Sequence, residues 1–455
     1  MEITVRVLAA GVLTAIVASP VGAAETVRAT LEAHAVLPAG TFAPAPADAP
    51  FGLQVSGRWI DPSMRRLERI GELAVVNTTS APGPVETGYS APMVGQPVQG
   101  FSGIRSLGGD RFLVLADNGF GSKANSPDAM LMVHELAVDW SAGRVAVERT
   151  IFLHDPDRVM PYRITNEHTV ERYLTGADLD LESIQPVDGG YWIGDEFGPF
   201  LVEIDRDGRA KRFVETVIDG KPVRSPDHPA LQLPATPGAV AFEARRSRGF
   251  EGMALAPDGT RLYPMLEGPL FTGDPPAPET AGGREVLRIL EVDPATGTIA
   301  PRTKLYPLDQ PGHAIGDFNM IDATRALVIE RDSNEGDPRL ACAQGRTEGC
   351  FAKPAGYKRI WLVDLGQVDA DGVIKKIASV DLLDIADPNG KARRGALDGV
   401  FSFPFVTIEN VDVVDERRIV VGNDNNFPFS IGRTPGRADD NELVLLDVGD
   451  LLSRR

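Results

Sequence analysis

Basic residues are in short supply in this chain. Its 46 Lys and Arg face 64 Asp and Glu, for a formal net charge of −18 at pH 7. No basic run or Lys/Arg stripe interrupts that balance, which excludes a nucleic-acid-binding protein. Long helical periodicity is missing, and beyond the N-terminus no apolar segment approaches the ~20 residues of a membrane span. There is no Gly-x-Ser-x-Gly elbow, so a serine esterase of the α/β-hydrolase kind is unsupported. There is no Gly-rich loop ending in Lys-Ser/Thr to cradle a nucleotide phosphate. Only two cysteines occur, Cys342 and Cys350, bracketing CAQGRTEGC. Two sulfurs without a nearby histidine make a poor zinc set, so the pair reads as a disulfide closing a surface loop of an exported protein.

The N-terminus agrees with export. Arg6 precedes VLAAGVLTAIVA and the small residues of VGAAE, which is the pattern of a signal peptide over residues 1–24. Glu2 and Arg6 cancel, so the mature chain keeps its charge and is expected in the periplasm or outside the cell. After cleavage no membrane span is expected, and the protein is expected to be a monomer. Residues 25–50, rich in Ala and Pro toward the end, read as a flexible lead-in to one domain over 51–455.

What the chain does have is short β-branched and aromatic runs (RFLVLAD, GYWIGDE, ALVIERD, RIVVGND) separated by turn signals such as GGD, VDGG and PDGT. That is an all-β pattern of hairpins. The runs repeat. FSGIRSLGGDRFLVLADNGF, LESIQPVDGGYWIGDEFGPF, FEGMALAPDGTRLYPMLEGPL and IENVDVVDERRIVVGNDNNFP share one layout, with a fainter copy in GDFNMIDATRALVIERDSN. The copies start at Ser102, Glu182, Glu251, Asp317 and Glu409, so one structural unit carries loops of variable length. Radial repetition protects strand edges and suggests a single β-propeller. Dividing the mature length by a typical interval gives about six blades. LERIGELAVVNTT and ELVLLDV are the expected partners for closing the ring. HDPDRVMPYRITNEHTVERYL is the best candidate for a short helix.

Acids recur at two positions of the unit. One is its start (Glu182, Glu251, Glu409, Asp317); the other is the end of the next strand (Asp117, Asp195, Glu196, Glu267, Glu330, Asp424). A strand-turn-strand returns its ends to one sheet edge, which predicts both sets at one mouth of the channel. The stretch Gly176–Phe200 alone holds six carboxylates and no Lys or Arg. Acidic and Asn residues also cap turns. Glu does so poorly, and its recurrence at the unit's start favours a cation site of hard oxygen donors, suited to Ca²⁺.

The strings TVERYLTGADLDLESI, GDEFGPFLVEID, RGFEGMALAPDGTRLYPMLEG, IERDSNEGD and IENVDVVDERRIVVGNDNNF resemble the phytase-like domain family, exported bacterial proteins described by an esterase-like activity of phytase. The resemblance runs from about Gln96 to Asp447. It implies a six-bladed propeller and a calcium-dependent phosphate-ester hydrolase. On that footing the metal ligands are Glu182, Asp195, Glu196, Glu251, Asp317, Glu409 and Asp424. Glu251 or Glu267 would orient or deprotonate water, Arg331 would stabilise phosphoryl charge, and His168 could act as general acid. Arg105, Lys123, Arg163 and Lys358 are candidate substrate contacts, against the plainer reading that each pairs with one of the chain's many acids. Two rivals stay open: a propeller lactonase or sugar-ester hydrolase, and a non-enzymatic periplasmic binding or envelope protein with structural calcium.

Overall fold

The computed structural model describes residues 24–60, 70–75, 85–236 and 238–455. Five antiparallel sheets carry the fold. Sheet I is Phe101–Gly108, Arg111–Ala116, Met132–Asp139 and Arg144–Phe152. Sheet II is Leu181–Val187, Gly190–Asp195, Phe200–Asp205 and Ala210–Glu215. Sheet III is built on Phe250–Leu255, Leu262–Leu266, Arg284–Ile289 and Lys304–Pro307. Sheet IV is Ala314–Met320, Arg325–Arg331, Lys358–Val368 and Ile374–Asp381. Sheet V takes Ile408–Val413, Arg418–Asn423 and Asn441–Asp447, and its fourth strand is Thr30–Leu37.

The first strands of the five sheets touch one another in sequence, and sheet V touches sheet I, so they close a ring. Among the described residues the ring holds five sheets, not the six obtained by dividing length. The arithmetic failed because the insertions between strands are long. The closing partner differs too. Asn441–Asp447 pairs with Thr30–Leu37, inside the segment expected to be a flexible lead-in. The LERIGELAVVNTT segment contributes Gly71–Val75, which pairs with Val85–Ala91 instead; the rest of it largely lies outside the described residues. Strand Thr30–Leu37 buries Leu31, Ala35 and Leu37, and an extended N-terminal strand can reach a sheet edge that no local hairpin covers.

The core lies between neighbouring sheets, one apolar layer per interface. Both faces of the inner strands are covered, so these strands read as nearly continuous apolar runs, while outer strands such as Arg144–Phe152 interleave apolar with exposed polar residues. In ALVIER the pleat sends Ala326 and Val328 into the layer shared with sheet III, and Leu327 and Ile329 into the layer shared with sheet V. Each large side chain buried this way contributes about 1.5–3 kcal/mol. The first strands crowd the axis. A Cβ on Gly252 would stand 2.7 Å from Phe318 Cβ, and one on Gly316 only 2.1 Å from the Ile408 carbonyl oxygen.

The 154–174 insertion, where a helix was expected, is turns and isolated bridges. Asp155 accepts the Val159 and Met160 amides (2.6 and 3.1 Å) and the Arg172 guanidinium (3.0 Å). These side-chain bonds satisfy backbone donors that a helix would have used.

Candidate metal centre

A β-bulge near the start of the first strand points a glutamate at the ring's mouth in sheets II, III and V; in sheet IV the same place is taken by Gly316. Glu182 falls between the pairs Leu181–Asp195 and Ser183–Gly194, and has no partner across the ladder. Glu251 and Glu409 occupy the same place in sheets III and V. Ser102 lies in the matching irregularity of sheet I. A bulge leaves one residue unpaired and re-aims its side chain.

Residues just past the second strands meet these bulge residues. Oxygens of Asp180, Glu182 and Glu196 lie within 4.8 Å of one another, as do those of Glu182, Glu251 and Glu409, and those of Glu196, Glu251 and Glu267. The three triads share corners, and all six residues are buried. Oxygens bound to one Ca²⁺ at about 2.4 Å lie no more than about 4.8 Å apart, so each triad fits a shared ion. Arg331 donates to Glu267 (2.9 Å) and Glu409 (3.0 Å). Arg248 also pairs with Glu267. Ser102 Oγ donates to Glu409 (2.9 Å), and Asn118 Nδ2 to Asp180 (2.7 Å).

With Asp117 and Asp424 alongside, eight carboxylates meet two guanidinium groups. Burial, reinforced by neighbouring acids, holds Asp117, Glu182, Glu196 and Glu251 well above the carboxylate range. Burial also raises Asp180 to about 6 and Asp424 to about 8. Glu196 Oε1 and Glu251 Oε1 are buried without a hydrogen-bond partner. A buried carboxylate oxygen left this way is costly, and a hard cation would relieve it.

Of the three expected ligands outside the triads, Asp424 stands beside them and accepts the Asn426 amide (2.6 Å), and the other two do another job. Asp195 accepts the Asp180 and Gly198 amides (2.8 and 2.7 Å). Asp317 accepts the Ile104, Phe318 and Val411 amides (3.3, 2.8 and 3.0 Å), tying first strands of three sheets together. Neither belongs to a triad. Glu330 also leaves the mouth, because the pleat turns it opposite to Arg331. It is buried against Tyr306 Oη (2.8 Å) and His313 Nδ1 (2.9 Å), and pairs with Lys376.

The other candidates scatter. Arg105 is tied to Asn319 and to Asp412 (3.0 Å). Lys358 is fully buried, and its ammonium meets the Asp332 and Val406 carbonyls (2.8 and 3.0 Å) and the Asp332 carboxylate (3.0 Å). Three donors are thereby used, which leaves none for a substrate. His168 is exposed on the 154–174 insertion. Lys123 and Arg163 line one cavity. Cys342 and Cys350 are disulfide-bonded. Arg248 and the full part played by Asp180 escaped the sequence reading. Arg248 lies three residues before Glu251 in RSRGFEG, a proximity that was the available signal.

Residues 96–427 match the family described as Phytase-like, esterase-like activity of phytase. The chain is similar to an "Uncharacterized secreted protein" of Arthroderma benhamiae, 26% identical over 185 residues, a match covering 33% of each protein. The match thus spans about a third of that relative's length. Among solved structures, the chain is similar to a periplasmic gluconolactonase of Pseudomonas aeruginosa (11% identity, 84% of this chain and 100% of that one, TM-score 0.30). It is also similar to the hydrazine synthase of Kuenenia stuttgartiensis (10% identity, 85% and 80%, TM-score 0.29).

Proposed function

The chain belongs to the phytase-like family, and from that premise we propose that it is an exported, monomeric, metal-dependent hydrolase of small phosphate esters. We read the ring as a β-propeller of five blades with its reaction centre at the acidic mouth. The observation that carries the proposal is the set of three corner-sharing carboxylate triads with two guanidinium groups to balance them.

Glu182, Glu196, Glu251, Glu267, Glu409 and Asp180 are the residues to hold cations, and an all-oxygen set suits Ca²⁺. Such a cation, when bound, polarises a phosphoryl oxygen and acidifies water. Glu251 keeps one oxygen without a hydrogen-bond partner, which suits it to orient an attacking water and take its proton. Arg331 and Arg248, fixed by Glu267, present positive charge where a phosphoryl oxygen would gain negative charge.

The test is hydrolysis of a phosphomonoester panel, including inositol phosphates, after chelation and again with Ca²⁺ restored. Turnover that returns with Ca²⁺ and is lost in Glu251→Gln supports the reading. A lactone or sugar ester is the second substrate class, favoured by the diversion of Arg105 and Lys358 into internal bonds. Turnover of lactones with none of phosphate esters would select it. No turnover of either, with Ca²⁺ still raising the melting temperature, would leave a structural metal and no hydrolase.

A further inference from the structure

Beside the acidic mouth, under the 154–174 insertion, lies a cavity of 170 Å³. Its walls include Met160, Leu174, Phe200 and Phe213, with Tyr162 closing one side. Phe200 and Phe213 have centroids 4.5 Å apart, and Tyr162 stands 5.9 Å from each. An apolar cavity of about 150 Å³ accepts a benzene ring, so this one has room for a six-membered ring and a small substituent.

The rim is cationic in a strongly acidic chain. Lys123 and Arg163 line the cavity, and Arg224 is near enough for its charge to act on Tyr162 and His228. Among the described residues none of the three has a carboxylate ion-pair partner. Lys123 donates to the Asp227 carbonyl at 3.3 Å, and its ammonium lies 5.6 Å from the Phe197 ring centroid. Arg224 Nε is buried without any partner. Two acids share the site but contact none of the three cations: Asp178, which also lines the cavity, accepts the amides and hydroxyls of Thr165 and Thr175, and Glu215 accepts Tyr162 Oη. Arginine and lysine without a carboxylate in contact, set around an aromatic box, suit an anion.

The cavity and the acid centre share a wall. Leu179 lines the cavity, and Asp180, next in the chain, supplies an oxygen to a triad. Phe197, beneath Lys123, directly follows Glu196. The backbone of Leu179–Asp180 thus has the cavity on one residue and a triad on the next.

We propose that this cavity binds the organic part of the ester, a ring-sized apolar group bearing an anionic substituent, with the anion held by Lys123, Arg163 and Arg224. Its role as a substrate pocket rests on the hydrolase reading of the neighbouring acids. Binding energy from such a remote group can be used to orient the reacting bond.

The test is calorimetric titration of calcium-free protein with phenylphosphonate and, separately, with inorganic phosphate and benzyl alcohol. Phenylphosphonate should bind one to one, at least about tenfold tighter than either half, and Lys123→Gln or Arg224→Gln should weaken it about tenfold. Ala177→Leu, which narrows the cavity, should weaken phenylphosphonate more than phosphate, while Arg105→Gln, at a side chain bound to Asp412 away from the cavity, should leave both unchanged. Inorganic phosphate binding as tightly as phenylphosphonate would overturn the proposal, and so would undiminished phenylphosphonate binding in Lys123→Gln and Arg224→Gln. Calcium-dependent ester turnover without phenylphosphonate binding would sink the pocket and spare the hydrolase reading. Binding without turnover would do the reverse.

Discussion

Glu442 and Glu251 are both buried strand glutamates, 0% and 3% exposed, yet their surroundings differ in kind. Glu442 accepts Arg433 through two nitrogens (3.0 and 2.6 Å) and Arg394 (2.6 Å), and His34 Nε2 lies 3.1 Å away. Arg433 also lies over the rings of Phe401 and Phe405 and donates to the Ser402 carbonyl. Despite burial, these partners push the Glu442 carboxyl far below its ordinary range. Glu251 has the opposite balance. It shares its space with Glu182, Glu196, Glu267 and Glu409, and burial drives it upward. One cluster is neutralised from within the chain and serves the fold. The other is left short of positive charge, and its oxygens are spaced closely enough to share a metal ion.

The largest effect should come from breaking the compensated cluster. Arg433→Met leaves Arg394 to balance both Glu442 and Asp440, a buried excess of negative charge, and should cost about 3–5 kcal/mol of stability. Denaturant unfolding monitored by circular dichroism would show it as a lower midpoint. A midpoint within error of the unsubstituted protein would mean that the two clusters do not differ as described.

Next in size is the response to metal. Ca²⁺ at about a hundred times its dissociation constant should stabilise the protein by about 2.7 kcal/mol per site. Glu251→Gln removes a corner shared by two triads and should abolish most of that gain. In the chelated protein the same substitution should be neutral or stabilising, because it removes one of several repelling acids. Thermal melts with and without Ca²⁺ check both signs.

The pH dependence should separate the clusters by sign. Asp180 and Asp424 are raised from 3.8 to about 6 and about 8. Stability tied to their protonated forms is complete below their ordinary value and disappears as pH rises through those raised values. Glu442 is depressed, so its contribution is present above the ordinary carboxylate value and fades only as pH falls toward its folded value. Chelated protein should therefore lose stability as pH rises from about 4 to about 8, and Ca²⁺ should flatten that slope. Arg433→Met should remove the acid-side dependence that comes from Glu442 and leave the neutral-side slope intact.

Much of the mouth was legible because it is written in local repeats. Ser102, Glu182, Glu251, Asp317 and Glu409 were picked out as one recurring position, and all five fall on the first strands of their sheets. What separates Glu251 from Asp317 is one residue of register: Gly316 holds the place of Glu251 in sheet IV, and Asp317, one position further, meets amides of sheets I, IV and V. Glu330 and Arg331 are adjacent in sequence, yet the pleat sends them to opposite faces. Ring closure by Thr30–Leu37 was hidden for a related reason. A strand that pairs with a segment some 400 residues away leaves no local signal, since its register appears only once the other sheets are in place.

The smallest expected effect concerns a cation that sequence placed with the substrate. Arg105 reaches Asn319 and, at 3.0 Å, Asp412, and its side chain is 25% exposed. A partly exposed pair of this kind contributes about 0.2–1 kcal/mol. Asp412 would keep the Ser106 amide at 2.7 Å if Arg105 were lost, so its carboxylate would not be stranded. Arg105→Gln should thus shift stability by less than about 1 kcal/mol and leave the Ca²⁺ response untouched. Its KM for any ester that turns over should also stay the same, whereas Arg331→Gln should lower kcat, because Arg331 alone bridges two triads through Glu267 and Glu409. A raised KM in Arg105→Gln would draw the far end of the first strands into the substrate's path and move the boundary between the bound and the structural charges.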